Sequence, residues 1–132
     1  MVYVQNEHGH VLLVRNRFSK LWTLPGGFHR RGKDPRDAAI REVREETGLD
    51  ISHDLHEVGQ YRQSDKPHYD HIFRTDVSTT SCAEPRPQNW MSRLEIGECS
   101  WRNIRNVEHD IRLTSEALHA LDLMKSVRGF EL

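Results

Sequence analysis

Glu42, Glu45 and Glu46 are the residues of this chain best placed to do chemistry. On an ideal helix they span an arc of about 100°, so three carboxylates can converge on one side. As local structure the grouping is unfavourable. Glu42 opposes Glu45 and Glu46 at helical spacing, each like-charged pair costs about 0.2–0.5 kcal/mol, and the last two lie near the negative end of the helix dipole. A hard divalent cation relieves that repulsion. Mg²⁺ takes oxygen ligands from carboxylates and main-chain carbonyls and leaves positions for water and phosphate oxygens. A solvated acidic face is the alternative, because Arg41 can pair with Glu45 at i,i+4 and Arg44 lies nearby.

The elements that must position these residues are legible around them. Asp34 and Pro35 read as the N-cap and first residue of a helix, with Asp37 three positions after the cap and Gly48 closing it after Thr47. Ala39, Ile40, Val43 and Thr47 gather on its apolar side. Ahead of it, Leu21 to Leu24 reads as a short strand stopped by Pro25-Gly26-Gly27, where the chain turns with little side-chain bulk. Such a turn running into a helix is the geometry of a loop-helix phosphate and metal site. Val2 to Val4 and His10 to Arg15 form a hairpin about Asn6-Glu7-His8-Gly9. Leu55 to Tyr61, His71 to Val77 and Glu98 to Trp101 have strand character, and Ala83 to Asn89 is a loop on composition. Thr114 to Val127 carries Ala117, Leu118, Leu121, Leu123 and Met124 at spacings that suit a second long helix. Strands and helices in this order predict an α/β fold with a mixed sheet and helices packed on it.

Composition narrows the class. A length of 132 residues predicts a single domain over 1–132, and 36% hydrophobic with 30% charged residues is that of a soluble globular chain. No apolar run approaches a membrane span, and the start lacks the features of a secretion leader, so the expected compartment is the cytoplasm. Cys82 and Cys99 have neither metal-ligand spacing nor the density of a disulfide scaffold and are read as reduced thiols. A net charge of −1 gives no global argument for nucleic-acid binding. The tight cluster His68-Tyr69-Asp70-His71 reads as a strand or loop edge.

One resemblance is specific. Gly27, followed by Arg41-Glu42-Val43-Arg44-Glu45-Glu46-Thr47-Gly48-Leu49, resembles the Nudix box, G-x5-E-x7-R-E-U-x-E-E-x-G-U with U aliphatic, at every position except one. Trp22-Thr23-Leu24-Pro25-Gly26 is similar to the usual lead-in, and Glu95-Ile96-Gly97-Glu98-Cys99-Ser100-Trp101 to a late acidic-to-aromatic segment of the family. The resemblance implies a Nudix-like α/β/α sandwich and a divalent cation, Mg²⁺ or Mn²⁺, held by Glu42, Glu45 and Glu46 with help from the Gly26 carbonyl. It implies attack of water on a pyrophosphate phosphorus, with Arg41, Glu45 and Glu46 as catalytic candidates and Glu95 or Glu98 as distal candidates for the base. The partner it implies is a nucleotide or other diphosphate-containing small molecule, or an RNA 5′ end. A homodimer is compatible with it, and no membrane is involved.

The departing position is Lys33, which stands where the family carries its first glutamate. It changes the local charge by two units and makes His29-Arg30-Arg31-Gly32-Lys33, with Arg36, a basic loop able to attract phosphates or simply to be solvated. Lys33, Gly27 and Arg15 are the candidate substrate contacts, with Arg17 close by. For base stacking the candidates are Trp22, Phe28, Tyr61, Tyr69, Phe73 and Trp90. The second reading is a catalytically weak nucleotide- or RNA-end-binding module.

Overall fold

The computed structural model describes residues 1–26, 34–51, 54–62, 69–80, 83–105 and 107–127. Strand β1, Val2–Gln5, turns back into β2, Val11–Asn16, through a loop that Gly9 closes at φ 77°. The Asn6 side-chain oxygen accepts from the N–H groups of both His8 and His10 at 3.0 Å, so the turn is held by an asparagine as well as a glycine. Strand β3, Trp22–Thr23, pairs antiparallel with β2. Strands β4, His56–Tyr61, and β5, Asp70–Asp76, form an antiparallel pair, and β5 runs parallel to β1 with Val2 opposite Phe73. Strand β6, Ile96–Arg102, lies antiparallel to β2. The sheet order is β3-β2-β1-β5-β4, with β6 joined to it through β2.

Alternation along the central strands produces two cores. Tyr3, Val11, Leu13 and Ile72 face one way, against Ala120, Leu121 and Met124 of helix α4, Ser115–Val127. Val2, Val4, Leu12 and Phe73 face the other way, against Ala39 and Val43 of helix α1, Pro35–Thr47. Full burial of a valine or leucine at these positions contributes about 1.5–3 kcal/mol each. The result is the α/β/α arrangement expected from the sequence.

Helix α1 begins and ends where its caps dictate. The Asp34 side chain accepts from the Arg36 N–H at 2.8 Å, Pro35 opens the helix, and Gly48 closes it at φ 81° while donating to the Arg44 carbonyl at 2.8 Å. Its buried face is Ala38, Ala39, Val43 and Thr47, and Ile40 is only partly buried. Leu118 is 40% exposed, while Ala117, Ala120, Leu121 and Met124 form the buried side of α4. Two short helices were not anticipated, α2 at Trp90–Glu95 and α3 at Val107–Asp110. Both are too short to show a helical period. No helix is long and apolar enough to cross a membrane among the described residues.

Candidate functional site

The turn before α1 and the second half of that helix meet through one bond. Gly26 adopts φ 98°, and its N–H donates to a Glu46 carboxylate oxygen at 2.7 Å. The glycine is required twice over. A side chain disfavours that φ, and a Cβ would sit 3.1 Å from the Met1 Cα.

Two further segments brace the same stretch of α1. The Cys99 thiol on β6 donates to the Glu46 carbonyl at 3.5 Å. From the loop preceding α2, the N–H groups of Arg86 and Gln88 donate to the carbonyls of Thr47 at 3.0 Å and Glu45 at 2.8 Å. These carbonyls lie in the last turn, which has no intrahelical donors, so the loop and β6 complete the helix end. Asn89 then caps α2 by accepting from the Ser92 N–H at 2.8 Å. The acidic helix is therefore held by the Gly26 turn, strand β6 and the 83–89 loop.

Electrostatics around Glu46 are unusual. Desolvation is the main cause that raises its carboxyl pKa to about 7, and the charges of Glu42 and Glu95 add to the effect against the Gly26 hydrogen bond. Burial, followed by Glu46 and Glu98, pushes the Cys99 thiol up to about 12, so Cys99 stays a protonated hydrogen-bond donor. Cys99 is free.

The arginines settle into partnerships that spacing alone left open. Arg41 does not pair with Glu45 among the described residues; its guanidinium donates to Glu42 at 3.2 Å, which orients that carboxylate. Arg44 faces Asp50 at 3.8 Å. Arg15 stands directly opposite Glu98 in register, with the two charges 3.6 Å apart. Arg17 contacts backbone, donating to the Arg93 carbonyl at 2.8 Å. Lys33, Gly27, Phe28, His68, Cys82 and the rest of the basic loop 29–33 lie outside the described residues.

The aromatic candidates separate by exposure. Trp22 and Phe73 are core residues. Tyr61 packs against His119 with ring centres 4.9 Å apart and the rings tilted by 52°, and Tyr69 lies under the Arg62 guanidinium. Trp90 is 70% exposed on α2 and is available as a stacking surface. An open cleft of about 400 Å³ is lined by Asn6, His8, Thr79, Glu84, Pro85 and Trp101, and includes none of the α1 carboxylates.

The donor set suits a hard cation, although the three carboxylates do not close into a cage. Among the described residues no three acidic, histidine or cysteine side chains are already gathered tightly enough to hold a metal by themselves. Mg²⁺ seldom needs such a cage, since it keeps several waters and uses one or two carboxylates with substrate phosphates. A desolvated carboxylate under the field of two others is a group whose ionised form a cation stabilises. The fit is thus to an open, hydrated ion.

A mixed-sheet α/β/α domain with a glycine turn tied to an acidic helix defines the class. The NUDIX domain model matches residues 1–122, and the chain belongs to that family. It is 30% identical to a Bacillus subtilis (strain 168) protein provisionally named 8-oxo-dGTP diphosphatase, over 97% of this chain and 95% of that one. It is 27% identical to the RNA pyrophosphohydrolase of Roseobacter denitrificans, over 98% and 81% of the two chains. Among solved structures, the NUDIX domain of Shewanella oneidensis NrtR complexed with ADP ribose superposes with a TM-score of 0.73 at 17% identity, covering 95% of this chain and 83% of that one. That last likeness is one of fold.

Proposed function

We propose that the chain catalyses Mg²⁺-dependent hydrolysis of a pyrophosphate bond in a nucleoside diphosphate-linked substrate. The observation that carries the reading is the Gly26 to Glu46 bond, which sets the glycine turn against a desolvated carboxylate on the acidic helix. Glu42, Glu45 and Glu46, with the Gly26 carbonyl, would hold the ion. When bound, Mg²⁺ (or Mn²⁺) supplies neutralisation of phosphate oxygens and a lowered pKa for coordinated water.

The chain's own residues divide the remaining work. Arg41 fixes the Glu42 carboxylate through its guanidinium. Glu46 is engaged by the Gly26 N–H and Glu98 by Arg15, which leaves Glu45 and Glu95 as the acceptors for the proton of the attacking water. Arg15, Lys33 and the backbone at Gly27 are assigned to substrate phosphates, and Trp90 to the base. The names of the relatives span a nucleoside triphosphate and an RNA end, so the reading stays at the shared pyrophosphate link. A free Cys99 thiol accords with a cytoplasmic setting.

Lys33 supports the second reading, a nucleotide- or RNA-end-binding module, because it puts a cation where the family box carries a carboxylate. The test is a panel of nucleoside triphosphates, ADP-ribose, dinucleotide polyphosphates and 5′-triphosphorylated RNA with Mg²⁺ or Mn²⁺. The hydrolase reading expects turnover of at least one compound and its loss in Glu46→Gln. Thermal stabilisation by a nucleotide with no product would favour the binding module.

A further inference from the structure

Away from the acidic helix, the open cleft at the tip of the first hairpin has walls that the fold holds in place. Asn6 and His8 come from the β1–β2 turn, Thr79 from the chain after β5, Ala83, Glu84 and Pro85 from the loop before α2, and Trp101 from β6. Glu7 joins the first two segments, because its carboxylate accepts from the Thr79 N–H at 2.8 Å and from the Thr79 hydroxyl. The loop is anchored to α1 by the Arg86 N–H on the Thr47 carbonyl. Trp101 stands opposite Leu12 and packs against the core that contains Val2, Val4 and Leu12, so the cleft has a clamped aromatic wall.

Asn6 carries the chemical information. It is only 8% exposed, and its side-chain oxygen already accepts from the N–H groups of His8 and His10, which uses both lone pairs and fixes which end of the amide is oxygen. The amide NH₂ has no acceptor among the described residues, yet it is not sealed in the interior, so the cleft is where it can find one. Glu84 has the opposite character. Its carboxylate only accepts, and no cation pairs with it among the described residues.

A ligand of this cleft must lie against an indole, offer an acceptor to Asn6 and offer donors to Glu84. Guanine meets all three conditions. Its O6 and N7 accept, and N1–H beside the 2-amino group presents two adjacent donors to the two oxygens of a carboxylate. Adenine is read by asparagine through a paired donor and acceptor, and the Asn6 oxygen is already committed. The volume of about 400 Å³ falls within the range of small-molecule sites, roughly 300–1,000 Å³. A second depression of about 230 Å³ shares Ala83, Glu84 and Pro85 and adds Arg86, an exposed cation with no carboxylate partner among the described residues. A phosphate suits that guanidinium.

We propose that this cleft is a guanine-nucleotide site, with the base against Trp101, its N1–H and 2-amino edge on Glu84, O6 or N7 on the Asn6 amide and the 5′-phosphate at Arg86. None of the α1 carboxylates lines it, so the site does not rest on the hydrolase reading.

The test is calorimetric titration of guanosine 5′-monophosphate and adenosine 5′-monophosphate into the protein in EDTA, since neither compound has a pyrophosphate link to hydrolyse. The guanosine compound should bind at least roughly tenfold more tightly than the adenosine one, and Glu84→Gln or Asn6→Asp should each weaken it by roughly tenfold or more. Asn6→Asp keeps the oxygen that holds the turn and replaces the donor with an acceptor. Glu84 and Arg86 are exposed loop residues, so Glu84→Gln and Arg86→Ala serve if Asn6→Asp fails to fold. Arg86→Ala should weaken the nucleotide by a smaller factor, while Trp90→Ala and Glu46→Gln should bind it as the wild type does. Equal affinity for the two nucleotides, unchanged affinity in Glu84→Gln, or loss of binding in Trp90→Ala would overturn the proposal. Absence of binding beside normal turnover of a panel compound would overturn it and leave the hydrolase reading standing; Glu84-dependent binding with no turnover of any compound would do the reverse.

Discussion

Gly26 and Glu46, 20 residues apart in sequence, are joined by an N–H···O bond of 2.7 Å. The bond holds in place a carboxylate that its surroundings disfavour as an anion. The predictions follow from that tension.

The metal-free protein should lose stability from Glu46 as pH rises. Its folded pKa of about 7 lies above the unfolded value of 4.5, so the native state binds this proton more tightly. The contribution is complete below pH 4.5 and is lost as pH rises through 7. Glu46→Gln removes that dependence and should be more stable than the wild type at pH 8 in EDTA, by on the order of 1–3 kcal/mol, with a smaller difference at pH 5. Thermal melts at the two pH values measure it. Adding Mg²⁺ at pH 8 should raise the wild-type Tm and leave the variant's nearly unchanged.

Gly26→Ala should damage stability and activity together. A positive φ strains the methyl-bearing residue, and a Cβ 3.1 Å from the Met1 Cα obliges the backbone there to shift, so a cost of about 1–3 kcal/mol is expected. Urea unfolding gives the first quantity and turnover with Mg²⁺ the second.

Arg41→Gln should separate the two properties. Its guanidinium is half exposed and its pair with Glu42 is worth under about 1 kcal/mol to the fold. Turnover should nevertheless fall by roughly tenfold or more, because Glu42 loses the group that orients it. A matched pair of melting curves and kcat measurements checks the split.

Cys99 should be inert in the folded protein. With its thiol held at about 12 and donating to the Glu46 carbonyl, a Cys82→Ser variant should resist iodoacetamide at pH 8 until denaturant is added. Mass spectrometry after alkylation gives the extent of labelling.

Much of this architecture could be read in the chain because it is written in local signals. Asp34, Pro35 and Gly48 fix α1 by capping and backbone preference, and the unbroken apolar run Val11 to Val14 marks a strand buried on both faces. The family box supplied the carboxylates. What stayed hidden depends on register. Gly97 lies just outside the strand expected at Glu98 to Trp101, so the bulge it marks, which puts Glu98 opposite Arg15, depends on a register the sequence does not show. Arg17 looked like a phosphate contact because its charge is local, whereas its acceptors are carbonyls more than 70 residues away. Cys99 looked bland for the same reason: its partner, the Glu46 carbonyl, is supplied by the tertiary fold.

The most direct test of the central claim is hydrolysis in ¹⁸O-enriched water with Mg²⁺, following phosphorus-containing products by mass spectrometry. Water attack on a pyrophosphate phosphorus predicts two products in equal amounts, with one labelled oxygen on the phosphate of one of them, and none from Glu46→Gln. Nucleotide binding that stabilises the wild type and Glu46→Gln alike, with no labelled product from either, would contradict the account.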